Sequence, residues 1–292
     1  MLYIYQYIRY LSKKCVSTMK LLINNQWRMK RTCPQKNDLF AITASTLLQN
    51  ESFLTSGCSE IDSALRGGFS RKGITQIYGE AGSGKTQFAL QLCLTVQIPT
   101  KENPQTSGAL YICTEAHFPT KRLQELLKKS HIAKKYPISG DMIFVEHVPT
   151  MEQLEECICQ KIPCLLKHRK IGLLIVDSIA APFRVEYDEK ELRSRAKSLR
   201  KIGEQLRFIS KEHEVSVICI NQVSAVINKD LLNTNGNGEQ PTLGIIWASL
   251  ISNSFHLYRR DGNRYLRIVY SPYLPCKTIK FEIRDIGIVG FK

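Results

Sequence analysis

Eight residues, Gly79, Glu80, Ala81, Gly82, Ser83, Gly84, Lys85 and Thr86, follow the pattern G-x-x-x-x-G-K-[ST], whose chemistry is phosphate binding. Glycine lets consecutive backbone N–H groups turn inward around phosphate oxygens, and a helix starting here adds the positive end of its dipole. Lys85 is then placed to reach the β- and γ-phosphates of a nucleoside triphosphate, and the Thr86 hydroxyl to ligate Mg²⁺. A glycine-rich turn with an incidental lysine would not need all three motif positions between an apolar strand and a helix. The chain reads as a nucleotide-binding protein.

Three further polar residues stand where apolar runs end. Asp177 closes the run Ile-Gly-Leu-Leu-Ile-Val-Asp (171–177); a carboxylate there holds Mg²⁺ through water beside a triphosphate, or caps the helix that follows. Glu115 follows the run 109–114, where it would orient or deprotonate a water attacking the γ-phosphate; an ordinary solvated acid fits equally. Gln222 follows the run 215–220, and its amide could sense the γ-phosphate, a weak signal by itself. His117, His131, His147, His168, His213 and His256 show no ligand spacing, so none is assigned to a metal. Cys93, Cys113 and Cys219 lie on apolar stretches and read as core residues.

The elements that must position these groups alternate. Residues 74–78 read as a β-strand and those after Lys85 as a helix; residues 109–113 follow as a strand, then a basic helix from Pro119 to about Ser130. A strand at 142–145, a helix at 150–167, the buried strand 171–177, a long helix at about 189–212 and a strand at 215–220 complete the series. Such alternation predicts an α/β fold: a mostly parallel central sheet with helices on both faces. Ser59 and Asp62 suggest a short helix start that Gly67 and Gly68 end. Residues 255–258, 265–269 and 279–283 read as three β segments in a C-terminal antiparallel extension.

Of the 292 residues, 43% are hydrophobic, ample for one large domain, and no run is long enough to span a membrane. Ten scattered cysteines without metal or redox spacing suit reduced thiols in an intracellular protein. The formal charge of +15 fits a nucleic-acid partner or a solvated lysine-rich face equally well. Residues 1–39 form a basic extension: disordered, a gene-model artefact, a mitochondrial presequence or a DNA-touching arm. Residues 40–292 form the main domain.

The motifs stand in a familiar order: Ser-Gly-Cys (56–58), Gly-Gly-Phe (67–69), the phosphate loop, Leu-Tyr-Ile-Cys-Thr-Glu (110–115) with Arg122 and Leu123, Leu-Leu-Ile-Val-Asp-Ser (173–178) and Ile-Asn-Gln-Val (220–223). From about residue 40 onward the chain resembles the ATPase core of the RecA-like eukaryotic recombinases. The stretches 145–148, 177–184 and 271–275 narrow that resemblance to the accessory paralogues of the family. The resemblance implies ATP and Mg²⁺ as cofactors. Lys85 and Thr86 match phosphate and Mg²⁺ ligands, Asp177 the metal-holding acid, Glu115 the catalytic carboxylate, and Gln222 the γ-phosphate sensor coupled to the DNA-binding loop. It further implies homologous-recombination repair of DNA double-strand breaks in the nucleus, with mitochondrion or cytoplasm as lesser alternatives. The implied partners are a C-type recombinase paralogue in a heterodimer, single-stranded or junction DNA, and, indirectly, the main strand-exchange recombinase.

The departures shape the expectation as much as the matches. Residues 186–191 are acidic where the recombinases present glycine and arginine to DNA, and residues 223–242 hold one cation, Lys229, and no aromatic ring. Tyr270 and Ser249 replace an Asp and a His that act on ATP across the recombinase protomer interface, and the self-assembly tag is blurred in residues 40–44. No counterpart of the recombinases' small N-terminal DNA-binding domain is expected. The reading is therefore an accessory subunit with slow, DNA-dependent ATP hydrolysis. The alternatives are a filament-forming strand-exchange recombinase, a structural ATP-binding subunit without turnover, or a RecA-like helicase or clock-type ATPase.

Overall fold

The computed structural model describes residues 52–100, 106–185, 192–225 and 239–291. The N-terminal extension, the self-assembly tag, the acidic segment 186–191 and residues 226–238 of the second loop lie outside the described residues.

Among the described residues, nine strands form one sheet. In chain order the strands are β1 (Phe53–Leu54), β2 (Phe69–Ser70), β3 (Ile74–Tyr78), β4 (Gly108–Cys113), β5 (Ile143–His147), β6 (Ile171–Asp177), β7 (Ser216–Asn221), β8 (Val223–Ala225), β9 (Glu239–Pro241), β10 (Asn253–Arg260), β11 (Asn263–Tyr270), β12 (Thr278–Arg284) and β13 (Gly287–Gly290). The main sheet runs β13-β12-β11-β10-β3-β7-β6-β4-β5, while β1 pairs with β2 and β8 with β9. The helices are α1 (Ser59–Ala64), α2 (Lys85–Thr95), α3 (Thr120–Lys129), α4 (His131–Lys135), α5 (Met151–Glu156), α6 (Ile162–His168), α7 (Ala181–Val185), α8 (Leu192–His213) and α9 (Gly244–Ala248). No helix among the described residues is long and apolar enough to cross a membrane.

The period-2 pattern decides which side chain faces which layer. Ala109, Tyr111 and Cys113 of β4, Leu173 and Ile175 of β6, and Ile218 and Ile220 of β7 join one core with α2. Their neighbours Leu110, Ile112, Leu174, Val176, Val217 and Cys219 join the other, packed by α5, α6 and α8. Both faces are covered, so these strands are apolar throughout and a parallel sheet is satisfied. The expected α/β architecture is present.

Three details differ from the sequence expectation. The C-terminal extension begins with a parallel strand: β10 lies alongside β3, and only β10–β11, β11–β12 and β12–β13 are antiparallel. A fourth segment, β13, closes the edge; its four residues carry glycine at both ends, too short and too glycine-rich to show strand periodicity. The helix expected over 150–167 is interrupted by a π-turn, Cys157–Lys161, between α5 and α6. Pro163 has no N–H for the carbonyl of Cys159, so the helix widens there.

At the N-terminal side, Asp62 lies within α1, and its carboxylate accepts hydrogen bonds from the Ser56 backbone N–H at 2.7 Å and from the Thr55 hydroxyl. It ties the entering chain to α1.

Candidate functional site

The phosphate-loop pattern falls between β3 and α2, at the carboxyl edge of the parallel strands. Gly79 and Gly84 sit at φ +153° and +114°, and the loop fits tightly: a Cβ on Gly79 would lie 1.9 Å from the Leu257 carbonyl oxygen. A Cβ on Gly84 would lie 2.9 Å from Ile283. Both neighbours belong to the C-terminal extension, which therefore backs the loop.

Lys85 folds onto its own loop, its Nζ donating to the carbonyls of Gly79 at 2.8 Å and Glu80 at 2.7 Å. Burial lowers its pKa from the ordinary lysine value, opposed chiefly by the negative charge of Asp177. The hydroxyl of Thr86, next along α2, donates to Asp177 at 3.2 Å. Tyr111 on β4 donates its phenol to the same carboxylate oxygen. Asp177 ends β6, and burial raises its pKa above the usual carboxylate value despite these two donors and the Lys85 charge. The Tyr111 phenol is pushed upward as well, by burial first and then by the charge of Asp177.

Glu115, two residues past β4, accepts a hydrogen bond from the Gln222 amide at 2.8 Å. Gln222 follows β7, so the two groups are brought to one rim by strand ends of the same sheet. Arg184, on α7, donates to the Gln222 side-chain oxygen and reaches the Val223 carbonyl. Thr114 and Ser178 lock the same rim, each bonding the other's segment at 2.7 and 2.9 Å.

These residues surround a cleft of about 600 Å³ lined by Gly79, Lys85, Thr86, Glu115, Asp177 and Gln222, among others. Ala81 and Gly82 line it too, whereas the Glu80 carboxylate turns outward to the Arg259 guanidinium at 3.2 Å. Ser83 is buried within the loop, and among the described residues its hydroxyl has no hydrogen-bond partner. A smaller hollow of about 370 Å³ opens on the other side of the loop, between Gln87, Arg122, Arg264 and Ile283. Within it Arg122 donates to Gln87 at 2.8 Å, while the buried Nε of Arg264 has no partner among the described residues.

Sequence reasoning did not assign roles to Tyr111, Arg184, Ser178 or Thr114. Tyr111 stands two residues before the strand end, on the face that Asp177 shares, a pairing set by the β4–β6 register, which local sequence does not show. Cys113 and His117 also line the cleft; Cys113 is nonetheless buried, with its thiol pushed up to about 11, chiefly by burial. Cys93 and Cys219 lie in the core, where burial raises both thiols. Ser249 and Tyr270 do not line the cleft: Ser249 bonds the Ile246 carbonyl at 2.8 Å, and Tyr270 is exposed. The expected second loop begins and ends as a β-ribbon, β8 paired with β9, because Gln222 and Thr242 backbones bond across its base.

Oxygen ligands and a charge-compensating amine suit a hard cation bound with an anion. Thr86 and Asp177 supply the oxygens, Lys85 the ammonium, and the orphaned Ser83 hydroxyl and tight glycines form the cradle. The residues present fit a magnesium–nucleotide pair.

The family model described as Rad51 matches residues 49–291. The DNA repair protein XRCC3 of Bos taurus is 36% identical over 254 residues, covering 81% of this chain and 74% of that protein. The protein of the same name from Mus musculus is 36% identical, covering 83% and 78%. The DNA repair protein rhp57 of Schizosaccharomyces pombe is 30% identical, covering 94% and 92%.

Proposed function

This chain belongs to the Rad51 family, and on that premise we propose that it is an ATP-binding recombinase paralogue serving DNA repair by homologous recombination. It acts as one subunit of a heteromeric complex, with a C-type recombinase paralogue as partner, in the nucleus. One observation carries the reading: Lys85, Thr86, Asp177, Glu115 and Gln222 converge on a single cleft at the carboxyl edge of the sheet. The kinship with three proteins named for DNA repair supports the process.

In this reading the loop N–H groups and Lys85 would hold the triphosphate, and the hollow beside Gln87 and Arg122 would leave room for the base side of the nucleotide. Thr86 and Asp177 hold Mg²⁺, which when bound neutralises phosphate charge and polarises the γ-phosphate. Glu115 orients a water for in-line attack on the γ-phosphate and takes its proton. Gln222 bonds Glu115 and immediately precedes the β8–β9 ribbon, so its amide passes the state of the nucleotide to the loop beyond. Lys85 now meets carbonyl dipoles; a phosphate oxygen offers it a full charge, which stabilises its protonated form. Hydrolysis is slow and DNA-dependent, and the altered Ser249 and Tyr270 positions favour an accessory subunit over a filament former.

Co-purification with the C-type paralogue, followed by sizing with and without ATP, tests this assignment. The expected result is a discrete heteromer. Regular helical filaments of this chain alone on single-stranded DNA, seen by electron microscopy, would contradict it.

A further inference from the structure

Helix α8 has two unlike faces. Leu199, Ile202, Leu206 and Ile209 are buried at spacings of three and four and fix it to the sheet. At 3.6 residues per turn, Arg193, Lys197, Arg200, Arg207 and Lys211 fall on the opposite side, and all five are exposed. The helix carries seven Lys/Arg against two Glu, so 22 residues hold +5 of the chain's +15. Among the described residues, Arg193, Lys197, Arg200 and Arg207 form no ion pair; on the flank, Lys201 pairs with Glu155. Lys211 comes within only 4.0 Å of Glu212.

An aromatic ring stands within this stripe. Phe208 is 53% exposed, and its neighbours one and two turns away on the helix are Glu204, Lys211 and Lys201. A lone exposed phenylalanine is ordinary, and so is a lone basic face. The combination matches what a nucleic-acid strand offers, phosphates for the cations and a flat apolar base for the ring. A duplex keeps its base faces stacked inside, so the ring selects single strands.

We propose that the outer face of α8 is a binding site for single-stranded nucleic acid, with Arg193, Lys197, Arg200, Arg207 and Lys211 engaging phosphates and Phe208 stacking on a base. From Arg193 to Lys211 the stripe is about 27 Å long, at 1.5 Å per residue, enough to follow several phosphates of one strand. The site is separate from the nucleotide cleft and does not depend on the proposed ATP chemistry.

The test is fluorescence anisotropy of a labelled oligothymidylate against the full chain without nucleotide, from about 50 to 200 mM salt. Replacing Lys197, Arg200 and Arg207 together by alanine should weaken binding at least tenfold. It should also lower the slope of log K against log salt by about 2, at roughly 0.7 for each phosphate no longer neutralised. Phe208→Ala should weaken binding about fivefold or more and leave the slope alone. A control removing Lys121, Lys128 and Lys134, exposed cations on α3 and α4, should leave both values near wild type. A contribution from residues 1–37 is common to all variants and cancels in the comparison. Wild-type affinity and slope in the α8 triple variant would overturn the proposal, as would an equal loss in the control. So would an unchanged Phe208→Ala with duplex DNA or oligoglutamate competing as well as the single strand. Titrating an ATP analogue into the same proteins separates the two sites: failure there sinks the nucleotide assignment and leaves this one standing.

Discussion

The rim of the cleft and the outer face of α8 both carry charge, but they handle it in opposite ways. In the cleft each of these groups has a partner: Lys85 the carbonyls of its own loop, Asp177 the hydroxyls of Thr86 and Tyr111, Glu115 the Gln222 amide. On α8 the cations project into solvent with few partners. Around the half-buried Asp177 and the buried Tyr111, removing one member leaves a desolvated partner uncompensated, so single changes there are coupled; Glu115 is exposed, and its weight lies in the chemistry. Removing one exposed cation changes a screened long-range field, and such changes are small and add up.

The largest effect is expected at Glu115. Glu115→Gln keeps the shape and can still meet the Gln222 amide through its oxygen, yet cannot take a proton. Single-turnover hydrolysis of radiolabelled ATP should fall by about a hundredfold or more, with nucleotide affinity nearly unchanged. Hydrolysis at the wild-type rate would remove Glu115 from the chemistry.

A smaller effect, with an informative sign, is expected at Asp177. Burial raises its pKa in the folded state, so that state binds a proton more readily than the unfolded chain does. The charged carboxylate therefore costs stability at neutral pH, and the cost fades as pH falls through the raised pKa and is gone below the ordinary carboxylate value. Asp177→Asn should melt no lower than wild type at pH 7, and by about 2–4 °C higher for each kcal/mol released, with the difference closing toward pH 4. Magnesium-dependent nucleotide binding should weaken in the same variant. A lower melting temperature at pH 7 would mean that the hydrogen bonds from Tyr111 and Thr86 outweigh desolvation.

The smallest effects belong to α8. Each of Arg193→Ala, Lys197→Ala, Arg200→Ala and Arg207→Ala should shift unfolding free energy by less than about 0.5 kcal/mol, and pairs should add. Urea melts check this. A loss of several kcal/mol from any one would show that the residue is bound to structure, and the contrast between the two regions would fail.

The same contrast explains what was legible in the sequence. Residues 79–86 announce themselves through the spacing of the phosphate-loop motif, and residues 171–177 because a buried parallel strand is apolar along its length and its polar end residue stands out. The convergence of Glu115, Asp177 and Gln222 follows from parallel strands delivering their carboxyl ends to one edge. What could not be read was lateral: that β10 lies parallel to β3, or that the phenol of Tyr111 reaches Asp177 on the adjoining strand. Neighbour and register depend on contacts between residues far apart in the chain, and local periodicity does not encode them. The π-turn was hidden for a different reason, since one proline within an otherwise regular helical pattern changes the winding without changing the pattern. The α8 stripe was visible only as net charge until the buried Leu199, Ile202, Leu206 and Ile209 fixed which side faces out.

The most direct test of the nucleotide cleft is the titration of a fluorescent ATP analogue, with Mg²⁺, into wild type and Lys85→Ala. Replacing the ammonium by a methyl group leaves phosphate charge unmatched, a loss of about 2–4 kcal/mol, so affinity should fall at least tenfold while the circular dichroism spectrum stays unchanged. Wild-type affinity in Lys85→Ala would contradict the account.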